Sequence, residues 1–100
     1  MGEMREKEPT QEEEKRIKEI LEREVNKIEE NTALKEEALA IGGQIKRLDI
    51  RGKIERLLKL AEDKGVVFAV KVAKDTNDSH TIDAFHDLLS MKGFYKKFEK

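Results

Sequence analysis

Apolar positions along this chain fall into successive blocks whose spacing changes from block to block. Ile17, Ile20, Leu21, Val25 and Ile28 line up on one face of a helix, because residues three and four apart share a face at 3.6 residues per turn. The block opens on Pro9-Thr10-Gln11-Glu12-Glu13, where Thr10 can cap and Glu13 can reach back to the free amide, with acids in the first turn favoured by the helix dipole. The pattern predicts a helix over about 10–30. Its other face carries Glu12/Arg16, Glu14/Lys18, Lys15/Glu19 and Glu19/Arg23 at i,i+4 spacing, each pair worth about 0.2–0.5 kcal/mol.

The stripe lapses at 29–32, where Asn31 or Thr32 can cap a second helix. Leu34, Ala38, Ile41, Ile45 and Leu48 then repeat every seven residues, in coiled-coil-like fashion, predicting a helix over 33–48. Gly42-Gly43 sits inside it, and each glycine costs a helix about 1 kcal/mol against alanine, so a kink or break is expected there. Ile50, Ile54, Leu57, Leu58 and Ala61 give a third apolar face over 50–64, closed by Lys64 and a C′ glycine, Gly65.

At residue 66 the pattern changes. Val66-Val67-Phe68-Ala69-Val70-Lys71-Val72 is short, β-branched and almost wholly apolar, which predicts a buried strand over 66–73. Turn chemistry follows at Asp75–Ser79, with Asp78 the favoured cap of a helix over 79–92 carrying Ile82, Phe85 and Leu89 on its inner face. Residues 94–99 can form a short final strand. The expected fold is therefore α+β and predominantly helical, one small domain over 10–100 behind a flexible N-terminus, 1–9. Such a strand needs ladder partners. Residues 94–99 supply one within the chain, and a second copy supplies another. The stripes over 10–30 and 34–48 exceed what so small a tail covers, so Ile17, Ile20, Leu21, Val25 and Ile28 are interface candidates and a homodimer is expected, alone or with another protein partner.

Composition sharpens this. Of the 100 residues 43% are charged, against roughly 25% on average, yet the net charge is only −1. Lys/Glu enrichment without Cys or Trp resembles thermophile compositions. The absence of cysteine excludes disulfides, thiol catalysis and zinc–thiolate sites. No apolar run approaches the ~20 residues that span a bilayer, and the polar start Met1–Glu8 does not read as a cleavable signal, so a cytoplasmic protein without a membrane partner is expected. Charge is also unevenly sorted, with a net −5 over 1–40, +3 over 41–64 and +1 over 65–100.

Candidate chemistry is sparse. His80, Asp83 and Asp87 share a helix face, but His86 points elsewhere, so a solvated face is favoured over a metal site. Asp75-x-Asn77-x-Ser79 begins like a calcium loop and then places His80 where glycine is needed and His86 where glutamate is needed. Gly42-Gly43 and Gly52 do not fit a phosphate loop. No catalytic residue, cofactor or metal ligand is assigned, and the expected role is non-enzymatic binding. The basic segment 46–59 supports an alternative, a nucleic-acid-associated regulator using Lys46, Arg47, Arg51 and Lys53. Against it stand the i,i+4 partners Glu55/Lys59 and Lys59/Asp63, the lack of interleaved aromatics and a pI near 6.2. Phe94, Tyr95 and Phe98 cluster near the C-terminus, where they suit either core closure or docking to a partner.

Overall fold

The computed structural model describes residues 11–94, and over these the chain is all-helical: α1 (Gln11–Glu29), α2 (Thr32–Ile45), α3 (Ile50–Lys64), α4 (Val66–Asp75) and α5 (Ser79–Met91). The expected N-terminal segment 1–9 lies outside the described residues, as does the final strand over 94–99 apart from Phe94, which stands in a turn after α5 and packs against the core.

The architecture is a bundle built around α4. This helix packs against each of the other four, most extensively against α3 and α2. Seven of its ten residues are buried: Val66, Phe68, Ala69, Val70, Lys71, Val72 and Ala73. The α+β expectation is thereby corrected, since the segment 66–73 is helix and no strand occurs among the described residues. The reason is physical. An unbroken apolar run carries no period, so it suits a helix enclosed on every side as well as a strand enclosed on both faces. Here four helices supply the enclosure. A helix also satisfies its backbone groups internally, so the segment needs no ladder partner.

Gly65 alone links α3 to α4. Its φ of +100° turns the chain in a conformation costly to a residue with a Cβ, and its N–H still closes α3 on the Ala61 carbonyl at 3.1 Å. At the other end Thr76 bonds its hydroxyl to the Ala73 carbonyl at 2.6 Å, and Asn77 takes the left-handed conformation (φ 59°) that stops α4.

Local capping elsewhere follows the sequence. Asn31 accepts from the Leu34 amide at 3.2 Å to start α2, and Asp78 accepts from the His80 and Thr81 amides to start α5. Asp49, at the start of α3, accepts from the Gly52 amide at 2.8 Å. The helix expected over 33–48 stops at Ile45, and the predicted break at 42–43 does not occur. Gly42 instead faces α4 so closely that an added Cβ would lie 3.0 Å from the Asp75 Cβ and 3.3 Å from the Val72 carbonyl oxygen. Gly43 faces open space. One glycine is there for helix contact; nothing in the packing requires the other.

The stripe on α1 is covered within the chain. Ile17, Leu21, Val25 and Ile28 are buried in the common core and Ile20 is half-buried. Of the i,i+4 pairs read on the opposite face, those with both side chains described (Glu12/Arg16, Lys15/Glu19, Glu19/Arg23) form no ion pair, and α1 shows a Glu24–Lys27 contact of 3.3 Å instead.

Candidate functional site

Among the described residues the exposed large apolar side chains are Leu34 and Leu39 on α2, Met91 at the end of α5, and Leu48 and Ile50, which stand together with basic residues where α2 turns into α3. The C-terminal turn of α2 closes through the Lys46 amide on the Gly42 carbonyl (2.9 Å), the Arg47 amide on the Gln44 carbonyl (3.3 Å) and the Leu48 amide on the Ile45 carbonyl (2.9 Å). Asp49 then caps α3. Tight turns at both ends leave four short steps of chain whose side chains point outward. Lys46, Arg47, Leu48, Ile50 and Arg51 are all exposed, with Leu48 at 44% and Ile50 at 41%, high for large aliphatic side chains. The heptad position Leu48 thus falls beyond the helix and outside the core.

Three of the four basic candidates stay together on this corner. Among the described residues the ion pairs include none of Lys46, Arg47 or Arg51. Neither Glu55 nor Asp63 pairs with Lys59, so the neutralisation expected at i,i+4 is not made. Lys53 is different. Its ammonium donates to Asp78 Oδ2 at 2.8 Å with the side chain only 13% exposed, tying the first turn of α3 to the start of α5. The same carboxylate oxygen accepts from the Thr81 hydroxyl at 2.7 Å. The Lys53 ammonium and the Thr81 hydroxyl together hold the Asp78 carboxyl well below the usual carboxylate range.

A second charged group was not found by reading the sequence. Lys71, in the middle of the buried helix, is only 6% exposed and bonds Asp75 Oδ1 at 2.8 Å and Glu29 on α1. Burial pushes the Lys71 ammonium down, but its hydrogen bonds and charge contacts with Asp75 and Glu29 more than offset this, and its pKa lies above the ordinary lysine value. The hydrogen bond from Lys71 in turn lowers the Glu29 carboxyl. Asp75 Oδ2 is buried without a hydrogen-bond partner, while the Cβ of the same residue faces α2 at Gly42. This cluster fastens α4 to the end of α1. The signal for it was the i,i+4 spacing of Lys71 and Asp75, which a strand reading hides.

The histidines do not converge. His80 is exposed on the first turn of α5, and His86 is half-buried on the same helix with its pKa lowered, first by burial and then by the charges of Lys18 and Lys74. No group of three or more His, Asp or Glu side chains among the described residues is placed to hold a metal ion. No described helix is long and apolar enough to cross a membrane. Comparison with protein-family models, with curated proteins and with solved structures returned no match.

Proposed function

We propose that this chain is a non-enzymatic interaction module that engages a partner protein through the α2–α3 corner. The observation that carries this reading is the exposure of Leu48 and Ile50 among the cations Lys46, Arg47 and Arg51, none of them ion-paired among the described residues. Aliphatic anchors ringed by cations fit a partner surface that presents an apolar pocket bordered by carboxylates, with the apolar contact supplying binding energy and the charges steering approach.

Two other occupants fit less well. A two-fold contact between copies of this chain would set the same patch against itself and bring like charges together. The homodimer expectation also rested on the α1 stripe, which the chain's own core now uses. A nucleic acid would find phosphate-binding cations here, but aliphatic side chains in place of stacking aromatics, and Lys53 already held by Asp78.

The test is photo-crosslinking in the native cell, with the reactive group at position 50 and, as control, at the exposed Glu62 on α3. Expected is one protein partner, joined from position 50 only and lost when Arg47 and Arg51 are changed to Glu. Equal products from both positions, or nucleic acid as the only product from position 50, would refute the reading.

A further inference from the structure

α2 is covered on one side only, and its open side is not charged throughout as that of α1 is. Ala38, Gly42 and Ile45 are buried and Ile41 is half-buried, which makes up the inner face. The opposite face carries Glu36, Ala40, Gly43 and Arg47 at successive spacings of four, three and four, with Leu39 beside them. All five are exposed. Leu39 is 56% exposed, more than either Leu48 or Ile50 at the corner. Arg47 follows in the turn that closes α2, where Lys46 still has helical dihedrals.

The two charges of this face are unused within the chain. Of the charged residues of α2, Lys35 pairs with Glu29 and Glu37 with Lys64, while Glu36 forms no ion pair among the described residues, and neither does Arg47. Nor can they meet each other, since their separation in sequence puts them ~16 Å apart along one helix. They do lie equally far on either side of the point midway between Ile41 and Gly42, and so do Ala40 and Gly43. A two-fold axis at that point, relating α2 to an antiparallel copy of itself, sets Glu36 opposite the partner's Arg47 and Ala40 opposite the partner's Gly43. Gly43 has no side chain and faces open space, so the two helices can approach closely there. The two Leu39 side chains fall on the same side of the seam and cover each other. The same operation at the corner brings like charges together; at the middle of α2 it brings opposite ones together, twice.

We propose that a second copy of this chain covers the outer face of α2, packing antiparallel on Glu36, Leu39, Ala40, Gly43 and Arg47 to form a homodimer. This does not rest on the partner reading, because Leu48 and Ile50 lie beyond the end of α2. Arg47 is the one residue that both surfaces use.

Sedimentation equilibrium of the full chain, at concentrations up to roughly 1 mM, is the measurement. A reversible dimer is expected. Glu36→Arg alone, or Arg47→Glu alone, sets like charges against each other and is expected to weaken the dimer about tenfold, with helix content unchanged. Both reversals in one chain are expected to restore it, and that restoration cannot arise inside a chain whose two positions do not meet. Leu39→Glu, a change to an exposed side chain, is expected to abolish the dimer without unfolding the monomer. The proposal is overturned if the parent stays monomeric, if the double reversal dimerises no better than either single one, or if Ile50→Glu abolishes the dimer while Leu39→Glu leaves it intact.

Discussion

α1 and α4 lie against each other in one core, yet they are helical for opposite reasons. α1 is 19 residues of mostly good helix formers with a single buried stripe and a charged outer face. Its structure is written in its own residues. α4 has ten residues, four of them valine, fewer than the ~12–15 at which isolated helices become even marginal in water. It is helical because four neighbours close around it and leave no strand partner in reach. Where a segment sits in a fold can thus outweigh what its residues prefer, provided every side of it is buried.

The comparison can be broken hardest at its charges. Lys71→Met leaves the buried Asp75 without its cation and detaches Glu29 from α4, and is expected to cost about 3 kcal/mol in chemical denaturation. Lys27→Met removes the exposed contact with Glu24 on α1 and is expected to change stability by less than about 0.5 kcal/mol. Equal effects would mean that Lys71 is not held as described.

The adjacent glycines of α2 give the next contrast. At Gly42 the atoms nearest a new Cβ belong to the backbone and Cβ of α4, which cannot yield without parting the helices, so Gly42→Ala is expected to cost about 1–2 kcal/mol despite alanine's higher helix propensity. Gly43→Ala meets nothing and is expected to gain about 0.5 kcal/mol. Two substitutions of the same sign would deny the close approach of α2 to α4.

These contrasts mark how far the sequence is legible. Helix starts are local events, so Asn31 and Asp78 can be recognised from the few residues around them. The period of α1 and of α3 is equally local. What Gly42 touches lies about thirty residues on, and the partner of Lys53 is 25 residues on, so neither the packing of the one nor the neutralisation of the other shows in the spacing. For the same reason three of the four basic candidates remain available at the corner while the fourth does not. The exposure of Leu48 and Ile50 depends on α2 stopping at Ile45, against the heptad pattern that continues past it.

The smallest expected effect concerns pH. Asp78 has a folded pKa depressed below its unfolded value of about 3.9, so its contribution is fully present above that value and is lost as pH falls through the lower folded pKa. Lys71, raised, behaves in the opposite sense, contributing below about 10.4 and losing its effect only as pH rises through the higher folded value. Asp78→Asn is therefore expected to melt slightly below the parent near neutral pH, with the gap closing as pH falls below the carboxylate range. A gap that stays constant would show that the Lys53–Asp78 contact adds nothing.

The arrangement of the other four helices depends most on α4 being a helix in the assembled chain. Backbone carbon chemical shifts of Val66–Asp75 measure this residue by residue. A continuous run of downfield Cα and upfield Cβ deviations through Val66, Val67, Val70 and Val72, with slow amide exchange, is the expected result. Strand-like deviations over the same residues would contradict it, and with it the enclosure of α4 by its four neighbours.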